Sequence, residues 1–449
     1  MPTAKKFEKI IKGILPSPFT IAVVLTLFTF ILALFIPNQG PRNNQILDIL
    51  YFWEQGIWNP PLLVFAVQMM LMLVLGHVLA LSKPINKLIL NVIKYCNNTA
   101  NSAAIITFFT ILVSLFNWGL GLIFGAIFAR KVGEHASRNN LQINYPLIGA
   151  AGYSGLMVWH GGISGSAPIK VAEEGHFLSE KIGVISQSQT IFSTMNISIS
   201  IILLICLPIL MYYLGSKNAG KIITIKSEQK KEHKEENISG AERLDQNTLL
   251  AYIFGGIIIC YAFYKAVLLP EKISLDVITP NYINLVLLGL AILMHNNFSN
   301  FLKAIDNAIS GASGILIQFP LYFGIMGVIN HSGMIDIMSN FFVSISNETS
   351  FPIFTFISAG LVNVFVPSGG GQWAIQGPII IESASQLGVS ISKSIMALAY
   401  GDQLTNMLQP FWALPLLGIT GLKAKEILPY TFSLMCVGSF LFIGILLLF

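Results

Sequence analysis

An all-α integral membrane protein, with about nine crossings and two re-entrant hairpins set in two inverted-topology repeats, is what three features of this chain imply. Of its 449 residues, 54% are hydrophobic and 10% charged, with mean hydropathy +0.70, against about 25% charged in soluble domains. The length accommodates about ten spans of about 20 apolar residues each. The stretch Val362 to Ile381 (VNVFVPSGGGQWAIQGPIII) sets a proline, three consecutive glycines and two glutamines inside an apolar run. In hydrocarbon an unpaired N–H or C=O costs several kcal/mol, so irregular backbone persists there only inside protein or beside a polar cavity. The break marks a candidate site.

From the N-terminus, Lys5, Lys6, Lys9 and Lys12 precede the apolar run Pro18 to Ile36. That run is longer than a signal-peptide core and no small-residue cleavage site follows before Pro37, so a first span with a cytoplasmic N-terminus is expected. Further spans are expected at 60–82, 145–170, 186–214, 249–268, 281–296, 308–330, 392–421 and 428–449. Residues 99–130 and 351–385 are too long and too interrupted by Gly, Asn and Pro for single helices. Each fits a re-entrant hairpin preceded by a surface helix. In Lys83 to Asn97, Ile85, Leu88, Ile89, Val92 and Cys96 recur at helical spacing opposite Lys87, Asn91 and Lys94, as in a helix lying in the interface.

The chain divides into a first membrane repeat (1–215), a charged cytoplasmic linker (216–247), a connecting span (248–268) and a second repeat (269–449). The linker mixes Lys230, Lys231 and Lys234 with Glu232, Glu235 and Glu236, a composition that favours solvent. Of the 26 Lys and Arg, all but Arg42, Lys170, Lys181, Lys265, Lys272 and Lys393 fall in expected inner loops, as the positive-inside rule requires. The +5 net charge is thereby accounted for without a nucleic-acid partner. The four cysteines show no CxxC pattern and no disulfide framework.

The halves echo one another. Asn117 in SLFNWGLG and Asn363 in GLVNVFVPSGG each end an apolar run and open a glycine-containing break, and Tyr153 and Tyr400 follow at nearly the same spacing. The odd span 249–268 between the two sets turns the second upside down. Inverted repeats with paired broken helices are the layout of secondary transporters, with substrate and ion near the midplane.

A half-helix that starts at mid-depth points its N–H groups and positive dipole end at the cavity, which favours an anion such as a carboxylate. Pro367, Ser368, Gly369, Gly370 and Gly371 suit that role, with Gly119 in the matching first-half break. Asn117, Asn363, Gln372 and Gln376 supply neutral amides of either sense. Glycine runs also serve tight helix packing, but PSGGGQ breaks a helix more than close packing requires. A second break in each half holds His160, Gly161, Gly162 and Ser164, and then Asp402, Gln403, Thr405 and Asn406. Asp402 is the candidate for a cation or proton, since ionisable groups at this depth default to function. His160 could face a substrate carboxylate or carry a proton. For both, a group satisfied within the protein is the competing reading.

VFVPSGGGQWAIQGP (Val364 to Pro378), AYGDQLTNMLQPFWALPLLGI (Ala399 to Ile419) and WHGGISGSAP (Trp159 to Pro168) resemble the bacterial short-chain fatty acid transporter family, grouped with the ion transporter superfamily. The resemblance implies re-entrant hairpins, elevator-like motion and uptake of short monocarboxylates such as acetoacetate or butyrate across the bacterial inner membrane. It also implies a coupling H+ or Na+, and it carries the motif onto Ser368, Gly369, Gly370, Gln372, Trp373 and Gln376 as a binding region. The expected partners are the carboxylate, the coupling ion and the lipid bilayer, with a homodimer left open and neither cofactor nor resident metal other than Na+.

A small monocarboxylate fits one helix-end nest with an aromatic wall from Trp159, Trp373, Phe411 or Trp412. No arginine sits mid-membrane to clamp a second carboxylate, which argues against a dicarboxylate transporter of the same superfamily. A cation/proton antiporter using Asp402 is the other rival. An enzyme is not expected, because GxSxG, HExxH and clustered His/Cys patterns are absent from the sequence, and GSKNAGKI (Gly215 to Ile222) lacks the Ser/Thr of a P-loop.

Overall fold

Asparagine side chains start many of the helices. Asn44, Asn59, Asn98, Asn117, Asn144, Asn247 and Asn297 each accept the amide hydrogen three residues on, satisfying one of the donors a helix leaves free at its start. A computed structural model describes residues 18–37, 44–218, 220–222, 225, 240–270, 273–366 and 368–449. The N-terminal lysines, Pro367 and much of the 216–247 linker lie outside the described residues.

In the first half the helices are α1 (Pro18–Leu34), α2 (Gln45–Ile57), α3 (Pro60–Ala80), α4 (Lys83–Ile93), α5 (Thr99–Phe116), α6 (Trp118–Arg138), α7 (Tyr145–Tyr153), the short α8 (Ser166–Lys170) and α9 (Ser179–Ile182), and α10 (Thr194–Lys217). The helix α11 (Thr248–Phe263) stands alone before the second half. There follow α12 (Pro280–His295), α13 (Phe298–Ala308), α14 (Ser313–His331), α15 (Met334–Ile345), α16 (Phe351–Phe365), α17 (Gly369–Leu387), α18 (Ile391–Thr405), α19 (Pro410–Thr420) and α20 (Ala424–Leu448).

Among the described residues, six helical stretches are long and apolar enough to cross a membrane: Pro60–Ala80, Thr99–Phe116, Thr194–Lys217, Thr248–Leu268, Phe298–His331 and Ala424–Leu448. Shorter apolar helices cover Phe19–Leu34, Pro280–His295, Met334–Ile345 and Phe351–Val364. On α11, which packs on α12, Leu249, Ile253, Phe254 and Ile257 face outward. An apolar exterior of this kind suits lipid, where no polar face is needed.

Two helix pairs fold back on themselves. Around Asn117, α5 and α6 run antiparallel with Ser114 against Gly121 and Thr110 against Gly125, and α16 and α17 reverse at 366–368, where Gln372 Nε2 donates to the Ala359 carbonyl at 2.8 Å. The halves interlock: α1 and α2 pack on α14, while α12 and α13 pack on α3. Between α2 and α14 the backbones nearly touch, since a Cβ on Gly56 would lie 2.3 Å from the Phe323 carbonyl oxygen.

Several boundaries differ from the sequence reading. The expected spans 145–170 and 392–421 are each split, the first by 3-10 turns at Ser154–Met157 and Trp159–Gly161, the second by one at Asn406–Leu408. The expected span 186–214 begins as a helix only at Thr194, because Ser193 caps it by accepting from the Asn196 amide. On α4 the buried positions are Ile89 and Ile93, Cys96 is buried just beyond its end, and Leu88 is 41% exposed. The start of the linker is also tied down: Lys221–Ile222 pairs antiparallel with Gln142–Ile143, and the Ile225 amide donates to Ser137 Oγ at 3.2 Å.

Candidate functional site

Both backbone reversals point at the broken helices. Asn117 closes α5 and opens α6 with fully buried side chain; its Oδ1 accepts from the Leu120 amide at 2.7 Å, and the next amide, Trp118, donates to Ser164 Oγ at 2.9 Å. In the other half, Asn363 Nδ2 donates to the Asp402 carbonyl at 2.7 Å, Thr405 Oγ1 at 2.9 Å and Asn406 Oδ1 at 3.1 Å. Three oxygens thus converge on one amide. Gln409 Nε2 donates to the Asn363 carbonyl.

The α17 tip is built around close approach. Ser368 caps the helix by accepting from the Gly371 amide at 3.2 Å, and the first-turn amides of Gly369 and Gly370 have no acceptor within the helix. A Cβ on Gly369 would lie 2.3 Å from His160 Cε1 and 2.4 Å from Nε2. The imidazole occupies the space that any larger residue would need. His160 and Asp402 are 0% and 1% exposed, and His160 Nε2 lies 3.1 Å from Asp402 Oδ1. The Ser166 amide donates to His160 Nδ1 at 3.3 Å. Nδ1 is then an acceptor, so the ring proton sits on Nε2 and is donated to Asp402. Asp402 Oδ2 is buried and without a partner among the described residues. Gln403 Oε1 accepts from the His160 amide at 2.8 Å, joining the two breaks.

Aromatic rings wall this point. Trp159 lies on His160 at 3.6 Å between ring centroids, and Trp118 sits 5.2 Å from Trp159 and 5.3 Å from Trp412. A cavity of about 630 Å³, lined by His77, Asn307, Gly311, Gly314, Gln318 and Trp412 among others, adjoins it. A crevice sharing Gly311, Gly314, Gln318 and Trp412 carries that space on to Ser368.

The structure brings together, of the residues singled out from sequence, His160, Ser368, Gly369, Asp402 and Gln403, with Asn363, Thr405 and Asn406 beside them. The others have different neighbours. Gly119 presses on the Leu73 backbone and Gly162 on Leu115, while Gly161 abuts Asn196 and accepts from its amide. Gly370 meets the rings of Phe319 and Phe65, and Gly371 meets Tyr322. Gln372 donates to Gln376 Oε1 at 2.7 Å as well as to Ala359, and Trp373 lies tilted against Phe177 with 6.2 Å between ring centroids.

Lys170, which the sequence sets outside or at an outer span end, is buried to 3% exposure. Its Nζ donates to Gln68 Oε1 at 3.2 Å and pairs with Glu173. The spacing Lys-x-x-Glu straight after the WHGGISGSAP break was the available signal.

A family model described as "Short chain fatty acid transporter" matches residues 3–449. A protein of Escherichia coli (strain K12) named "Putative short-chain fatty acid transporter" is 35% identical over 438 residues, 96% of this chain and 94% of the relative. One of the same name from Haemophilus influenzae is 36% identical over 447 residues, covering 96% and 95%. Among solved structures, the Alcanivorax borkumensis YdaH transporter superposes with TM-score 0.59 at 13% identity, over 96% of this chain and 98% of that one. Neisseria gonorrhoeae MtrF, titled as illuminating a class of antimetabolite efflux pumps, gives 0.56 at 12%, over 98% and 97%. The fold is shared with both.

Proposed function

The chain belongs to the short-chain fatty acid transporter family, and we propose that it carries short-chain monocarboxylates across the cytoplasmic membrane, coupled to a gradient of H+ or Na+. The carrying observation is the meeting of the α17 tip with the buried His160–Asp402 pair at the end of an apolar cavity. The first-turn amides offer an anion positive dipole ends and free donors. Trp412 and the cavity wall offer a short acyl tail apolar surface.

For the coupling ion, two arrangements in the same place support the reading. Asp402 keeps one carboxylate oxygen unpartnered in the interior, a group a proton would satisfy. The Asp402 carbonyl, Thr405 Oγ1 and Asn406 Oδ1 gather around the Asn363 amide, an all-oxygen set of the kind a hard cation takes.

The same reading sets the two halves as inverted repeats. In it the antiparallel pairs α5/α6 and α16/α17 are re-entrant hairpins that enter from opposite faces, and α11 is the odd crossing that inverts the second half. The N-terminus is cytoplasmic.

The test is uptake of labelled butyrate and acetoacetate into proteoliposomes under imposed pH or Na+ gradients. Accumulation that collapses with one gradient and not the other identifies the ion. Cation/proton exchange with no monocarboxylate movement would replace this reading with an antiporter. Loading the acid inside and following its exit settles the direction of net transport.

A further inference from the structure

Beside the α17 tip the protein holds a carboxylate of its own in a receptor made of three donors. Glu173 pairs with the buried Lys170 ammonium, accepts from Gln68 Nε2 at 2.8 Å and accepts from Asn281 Nδ2 at 3.0 Å. Lys170 stands on α8, Gln68 on α3 and Asn281 on α12, so the donors come from three separate elements. Lys170 is the only lysine or arginine in the buried class among the described residues. An ammonium is kept at such depth only with a carboxylate partner.

The surroundings suit a short acyl chain. Lys170 Nζ lies 5.5 Å from the centre of the Phe65 ring. The Cε1 edge of that ring meets Gly370, where a Cβ would come within 2.9 Å of it. One ring thus neighbours both the ammonium and the first turn of α17. Phe177 lies 6.4 Å from Phe65 and 6.2 Å from Trp373, continuing the apolar wall.

We propose that Lys170 is an exchangeable counter-ion on the substrate's way to the α17 tip: before it reaches the first-turn amides, the carboxylate takes the place Glu173 holds on Lys170, Gln68 and Asn281, with its acyl tail against Phe65, Phe177 and Trp373. This rests on the monocarboxylate reading above. The exchange conserves charge, one carboxylate leaving the ammonium as another arrives, so no unpaired ion is created in the interior. Glu173 has somewhere to go. Its side chain is 14% exposed and is followed by the exposed Glu174 and Gly175, the latter at φ +69° with open space around it.

Butyrate uptake kinetics in proteoliposomes test it. Lys170→Met should raise KM by about thirtyfold or more, the usual scale for losing one partner of a buried ion pair, and Lys170→Arg should stay near wild type. Glu173→Gln, which removes the internal competitor, should lower KM. A strap with a purely structural role would make Glu173→Gln and Lys170→Met fail together, and that result, or an unchanged KM in Lys170→Met, overturns the proposal. If Lys170→Met does not purify as a monodisperse protein, the Arg and Gln variants decide alone. Wild-type vesicles that move no monocarboxylate would remove the functional reading and this proposal with it, whereas normal wild-type uptake with the wrong variant pattern removes this proposal only.

Discussion

At Gly369 a single methyl group decides whether the α17 tip and the His160 ring can coexist. Alanine there would bring its Cβ to 2.3 Å from the imidazole, and relieving such overpacking costs about 1–3 kcal/mol. Gly369→Ala is therefore expected to reduce butyrate uptake strongly in proteoliposomes, while Gly256→Ala, with nothing within 4 Å of the new atom, leaves it unchanged. For Asp402→Asn the His160 proton still finds an oxygen, so the fold persists but the charge does not. Uptake against a gradient should be lost with exchange of labelled for unlabelled acid retained; concentrative uptake by this variant would exclude Asp402 from coupling. At this scale the sequence announced the polar residues of the breaks, because each interrupts an apolar run. For Lys170 it offered only the Lys-x-x-Glu spacing after the break, because the burial depends on α3 and α12 closing over the side chain from distant parts of the chain.

Each broken helix is fastened by a tyrosine of the opposite half. Tyr153 donates to the Asn406 carbonyl at 3.0 Å, and Tyr400 donates to Asn196 Oδ1 at 3.0 Å, while Asn196 Nδ2 holds the Gly161 carbonyl. Both tyrosines are at most 1% exposed. Tyr153→Phe and Tyr400→Phe should each lower stability by about 0.5–1.5 kcal/mol, seen as a lower Tm in detergent; unchanged values would show that the bonds carry nothing. Between the loops outside the helices, Ser186 and Ser274 hydroxyls donate to Asp276 and hold its carboxyl below the ordinary range. A depressed pKa means that the link is intact at neutral pH and lost as pH falls through that lowered value. The protection factors of the 274–278 amides, normalised for the intrinsic pH dependence of exchange, should accordingly fall on acidification. The antiparallel reversals were legible from Asn117 and Asn363, which end apolar runs. The helix α2 was not, for its 13 residues carry Asp48 and Glu54 and gain their place by packing on α14.

Across the whole molecule, the first helices of each half lie against the other half, so the covalent linker adds little to their association. Proteolytic cleavage near Lys230 should leave the two fragments migrating together in detergent; separation would contradict the interlocked packing of α1 and α2 on α14 and of α12 and α13 on α3. The mostly helical, apolar-faced character could be read in advance because long apolar runs dictate it. The packing of the first helices of each half on the other could not, because it is set by side-chain fit between segments far apart in sequence.

Of the six tryptophans in the chain, Trp159 lies on the His160 ring, Trp118 on Trp159 and Trp412 on Trp118. Their indoles make the pocket its own optical probe. Excited-state emission from this cluster should change in colour and yield when an unlabelled acid docks, so affinities for a whole series of chain lengths become measurable by titration, without isotope and without vesicles.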